Sequence, residues 1–285
     1  MKTNSSEFKA VFSDVKWSDE FYRFLQVVFH LYPEDKFHHL LKTRTMELAT
    51  DEQIYKQVQK ELPTIKPFLS ELTYALPALK KQKKEIARQT LSLMPGRKSL
   101  QGYMEIGSTG RYISELRKHV LVSNPIYLLN DIAPTNSPAD IMERGQLSRI
   151  GKFVNIHGYS PINESDIATE SLDLITCYIG LHHCPEDKLS PFIASLYRVI
   201  RPGGLFIIRD HDVKTQEMAT FVSLVHTVFN LGLKESWEFE LNDFKNFKPA
   251  DEWSRIISLA GFKDAGARIL QKNDPSDNTL MSFIK

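Results

Sequence analysis

This chain of 285 residues lacks several things, and each absence narrows what it does. It has two cysteines, Cys177 and Cys184, and neither belongs to a Cys-x-x-Cys pair. That argues against a disulfide framework and a cysteine-rich zinc site, and for a reducing compartment. Charge of one sign is missing too: 36 basic against 35 acidic residues leave a formal net charge of +1. No global field therefore marks a nucleic acid or a membrane surface as the partner. No stretch approaches the ~18 to 20 apolar residues of a membrane span, and the opening Met1-Lys-Thr-Asn-Ser-Ser-Glu-Phe8 lacks the apolar core of a signal peptide. A cytoplasmic protein without membrane contact is the expectation. Internal repeats and low-complexity segments are absent as well.

What is present, 42% hydrophobic and 25% charged residues, is the composition of a globular protein. The length suits one large domain, or a domain of ~190 residues with a smaller companion. Residues 1–96 read as a helical region that covers a substrate or docks a partner. Phe21, Phe24, Leu25, Val28 and Phe29 follow helical spacing, with Pro33 as the stop, and Phe37, Leu40, Leu41 and Leu48 suggest a second helix. Thr50-Asp-Glu-Gln53 has the form of a capping box, and Pro63, Pro67 and Pro77 divide the next stretch of chain into short pieces. Lys80-Lys-Gln-Lys-Lys84 reads as a solvated helix face, with a phosphate-binding patch as the less favoured alternative.

From residue 97 to 285 short apolar runs alternate with helical ones, the pattern of βαβ units in an α/β, doubly wound, mostly parallel sheet. Tyr103 to Ile106 is a strand that stops at Gly107-Ser-Thr-Gly110, and Tyr112, Ile113 and Leu116 begin a helix whose free N–H groups face whatever lies above the strand end. Strands follow at Ile126–Asp131, Phe153–Ile156, Leu172–Ile179 and Leu205–Ile208, the last preceded by Arg201-Pro-Gly-Gly204 as a turn. Residues 213–248 form a lid-like insertion. In it Met218, Phe221, Val222, Val225, Val228 and Phe229 share a helical face, and Trp237, Phe239 and Leu241 alternate with Glu238 and Glu240. Such an aromatic segment either covers a substrate or packs against the N-terminal helices. A helix after Pro249 and a closing hairpin of Gly266–Gln271 with Thr279–Ile284 complete the chain.

Open α/β sheets bind ligands at the carboxyl ends of their strands. Collected there are Glu105 and Gly107 to Gly110, Asn130 and Asp131, Tyr159 and Ser160, Tyr178, His182 and His183, and Arg209 to Asp212. An acid about twenty residues past a glycine-rich turn suits the vicinal hydroxyls of a ribose. In that order Glu105-Ile-Gly-Ser-Thr-Gly-Arg-Tyr112, Asn130-Asp131, Ser171-Leu-Asp-Leu-Ile175, Gly180-Leu-His-His183 and Arg198-Val-Ile-Arg-Pro-Gly-Gly204 resemble the successive motifs of class I S-adenosylmethionine-dependent methyltransferases. The resemblance covers roughly residues 100–285. It implies a Rossmann-like seven-stranded sheet with an antiparallel last strand and S-adenosyl-L-methionine as cofactor. It also implies that Gly107, Ser108 and Gly110 pass beneath the methionine portion, that Glu105 supports the loop, that Asp131 holds the ribose and that Ile132 packs on the adenine. Tyr178 and Ser160 complete the cofactor set. Two departures stand out: the first motif reads acid-x-Gly-x-x-Gly, one residue short of the family pattern, and Gly158-Tyr159 replaces a common Gly-Asp, for which Tyr159, Ser160 or Asp166 could compensate.

Methyl transfer from a sulfonium asks the protein to align an acceptor and, for oxygen or nitrogen, to take a proton. The candidate bases are His211, His182 and Asp210, with His211, set between two aspartates, preferred. No metal is expected, because the adjacent Asp210, His211 and Asp212 point to opposite faces of a strand. The acceptor expected is a small molecule, and RNA or protein is the alternative. A catalytically weak interaction subunit is a second reading, which the altered glycine loop favours. A nicotinamide oxidoreductase is a third, opposed by the absent third glycine.

Overall fold

The computed structural model describes residues 6–66, 76–178 and 180–285. In chain order its α-helices are α1 (Glu7–Phe12), α2 (Val15–Phe24), α3 (Glu34–Glu47), α4 (Asp51–Ile65), α5 (Leu76–Ser92), α6 (Ile113–Leu116), α7 (Pro138–Arg144), α8 (Glu186–Val199), α9 (Gln216–Gly232), α10 (Trp237–Asn242) and α11 (Ala250–Leu259). Its strands are β1 (Ser99–Ile106), β2 (Leu121–Asn130), β3 (Lys152–Asn155), β4 (Leu172–Cys177), β5 (Ile200–His211), β6 (Lys263–Leu270) and β7 (Asn278–Ile284). The chain forms two compact units, one of Met1–Ala78, His211–Phe247 and Leu270–Asn278, the other of Leu79–Asp210, Lys248–Ile269 and Thr279–Lys285.

The first unit is helical. Its core joins Phe8, Phe12, Phe21, Phe24, Phe29 and Phe37 to Phe221, Val225 and Val228 of α9, all nearly or fully buried. Each such side chain contributes about 1.5–3 kcal/mol by leaving water. The aromatic stripe of the 213–248 segment is thus packed with the N-terminal helices: Phe21 meets Phe221 edge-on at 5.9 Å between centroids. Two proline readings are corrected here. The helix containing Phe21 runs on through a π-helical turn, Leu25–Phe29, and ends at His30 in the left-handed region (φ 43°). Pro33 instead caps the start of α3, where a fixed φ and a missing N–H cost nothing. Pro63 lies in the last turn of α4, which continues to Ile65, Pro77 is the second residue of α5, and Pro67 lies outside the described residues. The capping box is present in full, with Gln53 N–H donating to Thr50 Oγ1 and the Gln53 side chain accepting from Thr50 N–H. Trp237 to Asn242, for all its alternation, is helical because Ser236 caps Phe239 N–H and buried Glu240 accepts from Thr227 and Asn230 of α9.

The second unit holds the sheet, in the order β3-β2-β1-β4-β5-β7-β6. Strands β1 to β5 pair in parallel. The sheet as a whole is mixed. Gly203 at the start of β5 bonds Lys285 beyond the end of β7, while Asp212 just past β5 bonds Asp277 just before β7, so β7 enters antiparallel and forms a hairpin with β6. Arg201 to Gly204 is not a separate turn but the irregular start of β5, where the register against β4 shifts between Leu172 and Leu174. Strand β4 ends at Cys177, and Ile179 lies outside the described residues. Among the described residues no helix links β3 to β4. Residues 156–171 cross as irregular chain, pinned where Arg198 of α8 donates to the carbonyls of Ile162 and Ile167. Between β1 and β4 the direction of winding reverses, which is where such sheets open a crevice. Among the described residues no helix is long and apolar enough to cross a membrane.

Candidate active site

The glycine turn is built on a buried carboxylate. Glu105, wholly buried near the end of β1, accepts from Tyr112 N–H (3.1 Å), Ile113 N–H (2.8 Å), the Ser108 hydroxyl and Tyr103 Oη (3.0 Å). Burial pushes its carboxyl up, and these four donors pull it back. The N–H groups opening α6, expected to face a ligand, are therefore held by Glu105, and α6 itself is only one turn long. The turn is fixed further by Ser108 Oγ, which accepts from the N–H groups of Gly110 (3.2 Å) and Arg111 (3.1 Å). Gly110 sits at φ 94°, a conformation side chains other than glycine resist. One polar atom is left over. Thr109 Oγ1 is shielded from solvent and has no hydrogen-bond partner among the described residues.

Gly107 N–H donates to Leu129 O (2.9 Å), which places the end of β2 beside the turn. There Asn130 Oδ1 accepts from Asp131 N–H (3.0 Å) and Asn155 Nδ2 donates to Asp131 O (3.3 Å). The Asp131 carboxylate is exposed and carries no hydrogen bond or ion pair from the described residues, and the Ile132 side chain is 75% exposed. After β3 the chain makes a left-handed turn, with His157, Gly158 and Tyr159 at φ 47°, 58° and 64°. The two residues with side chains cost about 1–2 kcal/mol each in that conformation. The turn is closed by Ser160 N–H to Ile156 O (3.1 Å) and Ser160 Oγ to His157 O (2.9 Å). It sets the Tyr159 ring edge-on to Phe192 at 5.3 Å, where burial pushes the phenol well up, aided by Cys177, Cys184, Asp131 and Asp210.

At the ends of β4 and β5 a second buried polar pair forms. His182 Nδ1 lies 2.8 Å from Asp210 Oδ1, and His182 N–H donates to Asp210 Oδ2 at 3.2 Å. Both residues are buried, at 2% and 1% exposure. An ionised carboxylate only accepts, so Nδ1 carries the proton and Nε2 is the basic atom. Gly180 makes the contact possible, since a Cβ there would fall 1.9 Å from His182 Nδ1.

Of the sequence candidates, Glu105, Gly107, Ser108, Gly110, Asp131, Ile132, His182 and Asp210 all belong to the second unit and lie at strand ends. Ser160 closes its own turn, and Tyr178 gives its hydroxyl to Thr90 Oγ1 (2.5 Å) and its ring to Tyr112. His211 falls in the first unit, where Nδ1 lies 2.7 Å from Ser276 O. Sequence reasoning missed Lys83: it is 7% exposed, not solvated, and donates to Glu143 O (2.9 Å) at the end of α7, and burial lowers its pKa. The i+4 neighbours Lys83 and Ala87, both on the buried side of α5, were the available signal.

Residues 105–208 match the family model described as a methyltransferase domain. Over that stretch, which is less than half of its length, the chain is similar to a methyltransferase domain. The fold is shared with solved structures at low sequence identity. An O-methyltransferase family 2 protein from Planctomyces limnophilus DSM 3776, in complex with apigenin, is 10% identical with a TM-score of 0.52 over 99% of this chain and 97% of its own. A chain of the complex containing the Haloferax volcanii Trm112 methyltransferase activator is 12% identical with a TM-score of 0.51, over 74% and 93%. The 1,6-didemethyltoxoflavin-N1-methyltransferase of Burkholderia thailandensis, solved with S-adenosylhomocysteine, is 13% identical with a TM-score of 0.47, over 73% and 78%. No curated protein sequence matches this chain. The residues present fit the cofactor: Thr109 Oγ1 lacks a partner among the described residues, Asp131 offers a carboxylate that they do not hold, and Ile132 offers an exposed apolar face.

Proposed function

We propose that the protein methylates an oxygen or nitrogen atom of a small molecule, with His182 as the proton acceptor and Asp210 as its positioning carboxylate. The buried pair at 2.8 Å carries this reading, because an oxygen or nitrogen acceptor must give up a proton, whereas a transfer to a thioether needs no such base. S-adenosylmethionine, when bound, supplies a methyl group already activated on a sulfonium. The chain's own residues do the rest. Asp131 would accept hydrogen bonds from a ribose, Ile132 would cover a purine face, and Thr109 would satisfy its hydroxyl within the glycine turn. His182 Nε2 would take the proton that an oxygen or nitrogen acceptor gives up, and Asp210 would stabilise the imidazolium through Nδ1–H. A small acceptor is favoured over RNA because the one lysine run of the helical region includes Lys83, which is spent on Glu143 O.

Calorimetry with S-adenosylhomocysteine tests the cofactor site without knowledge of the acceptor. Stoichiometric binding in the micromolar range is expected, and no binding up to about 1 mM would leave the reading as a catalytically weak interaction subunit in its place. A screen of phenols, hydroxy acids and amines for methyl uptake, comparing wild type with His182→Gln, then tests the base. Equal turnover by both would remove His182 from that role.

A further inference from the structure

Beneath the glycine turn, within the second unit, lies a line of buried hydroxyls. Tyr103 of β1 is wholly buried, and its Oη meets Glu105 Oε2 at 3.0 Å and Thr176 Oγ1 of β4 at 2.6 Å. Tyr178, just past β4, meets Thr90 Oγ1 of α5 at 2.5 Å, and Thr90 donates to Ile86 O at 2.7 Å. The layer around them is apolar, with Ile113, Leu174, Leu205 and Ile207 fully or nearly buried in it.

The protons along this line can be assigned. Glu105 Oε1 accepts from the Ser108 hydroxyl and Tyr112 N–H, and Oε2 accepts from Ile113 N–H and Tyr103. With four donors on two oxygens the carboxyl has no place for a proton of its own, so it is ionised and Tyr103 is the donor. Burial, and next the Glu105 charge, push the Tyr103 phenol well up, so it keeps that proton. Having donated to Glu105, Tyr103 accepts from Thr176. The Thr90 hydroxyl is committed to Ile86 O and so accepts from Tyr178. The line that reaches the carboxylate therefore has one direction, Thr176 to Tyr103 to Glu105.

A hydroxyl in an apolar layer is costly unless bonded, and a hydrocarbon side chain would fill the same place without that demand. What this hydroxyl does is fix one oxygen of Glu105. The carboxylate in turn holds the N–H groups of Tyr112 and Ile113 and the hydroxyl of Ser108, which itself holds the N–H groups of Gly110 and Arg111. The shape of the whole turn thus depends on where the two carboxylate oxygens stand. We propose that Tyr103 is a positioning residue for the amino-acid arm of S-adenosylmethionine, acting through Glu105 on the glycine turn. This rests on the S-adenosylmethionine reading of the site, in which Asp131 takes the ribose and Ile132 the purine, so that the turn beside them is left for the arm.

Full-length wild type and Tyr103→Phe are titrated by calorimetry with S-adenosylhomocysteine and with methylthioadenosine, which keeps the purine, ribose and sulfur but lacks the amino-acid arm. Tyr103→Phe is expected to weaken S-adenosylhomocysteine roughly tenfold and methylthioadenosine less than about twofold. Equal loss for both ligands, or for neither, marks a merely structural tyrosine and overturns the assignment. Thr176→Val keeps the shape but removes the hydroxyl that orients Tyr103. It should repeat the selective loss at roughly threefold, and it decides in the same way if Tyr103→Phe does not fold. Hydrogen exchange of the ligand-free protein needs no cofactor: the Tyr112 and Ile113 amides should exchange at least about fivefold faster in Tyr103→Phe than in wild type. Unchanged exchange overturns the assignment, and exchange decides if methylthioadenosine binds too weakly to measure. Wild type that binds neither ligand overturns the cofactor reading and the assignment with it, whereas wild-type binding with unselective variants overturns the assignment alone.

Discussion

Replacing Gly180 with alanine tests the His182–Asp210 pair most directly. The added methyl would stand 1.9 Å from His182 Nδ1, 2.1 Å from Cε1 and 2.7 Å from Asp210 Oδ2. No rotation of a flexible tip relieves this, because the clashing atoms are the hydrogen-bonding ones and both side chains are buried. The ring and the carboxylate must separate. A hydrogen bond to a charged group contributes about 1.5–3 kcal/mol, and a carboxylate left buried without its partner adds a desolvation cost. We expect Gly180→Ala to lower the unfolding free energy by about 2–3 kcal/mol, a fall in urea midpoint of roughly 1 M at an m-value of ~2–3 kcal/mol/M. Nitrogen-detected NMR of the histidine ring should show His182 losing its fixed Nδ1–H tautomer. With an acceptor in hand, kcat should fall by about 10²–10⁴. S-adenosylhomocysteine affinity should stay close to wild type, since Asp131 and the glycine turn are untouched. An unchanged urea midpoint together with an intact Nδ1–H resonance would refute the reasoning.

Asp131→Ala should weaken S-adenosylhomocysteine binding by about 1–3 kcal/mol, or roughly 5- to 150-fold in dissociation constant, and an unchanged value by calorimetry would show that the end of β2 does not hold the ribose. Burial pushes the Cys184 thiol up to about 12, and Cys177 is buried beside the same core. Neither thiol should therefore react with an aromatic disulfide reagent at pH 8, and both should react in denaturant, so rapid labelling of the native protein would contradict the packing. Asp264 is held down at about 2, chiefly by the Arg268 guanidinium, with help from Ser254 and Gly266 N–H. Its folded value lies below its ordinary 3.8, so its stabilisation is present above that value and lost as pH falls through about 2. Arg268→Gln should flatten that part of the acid limb of a urea-midpoint titration, and an unaltered limb would assign it elsewhere.

The sheet was legible in the sequence because a parallel strand buried on both faces writes itself as a continuous apolar run, as Leu172 to Cys177 does. The glycine turn and the capping box at Thr50 were legible because each depends on residues within a few positions of one another. What failed was punctuation. Pro33 and Pro63 read as stops, yet one opens a helix and the other sits inside a final turn, since proline forbids only particular positions. The Arg201-Pro-Gly-Gly204 start of β5 was hidden for the same reason, its strand character coming from pairing with residues near 285. Partners distant in sequence left no local signal. Nothing around Tyr103 announces Thr176, and nothing around Asp210 announces the backbone of His182.

The first unit draws on three separated stretches of chain, and its aromatic core is completed only by Phe221 to Leu231. During synthesis, α1 to α4 emerge more than a hundred residues before the helix that seals them. At about 5–20 residues per second, Phe8, Phe21 and Phe37 wait for roughly 10 to 40 seconds before Phe221 follows. For that interval the nascent chain is a client for holding chaperones, and any truncation before residue 213 leaves the same surface permanently bare.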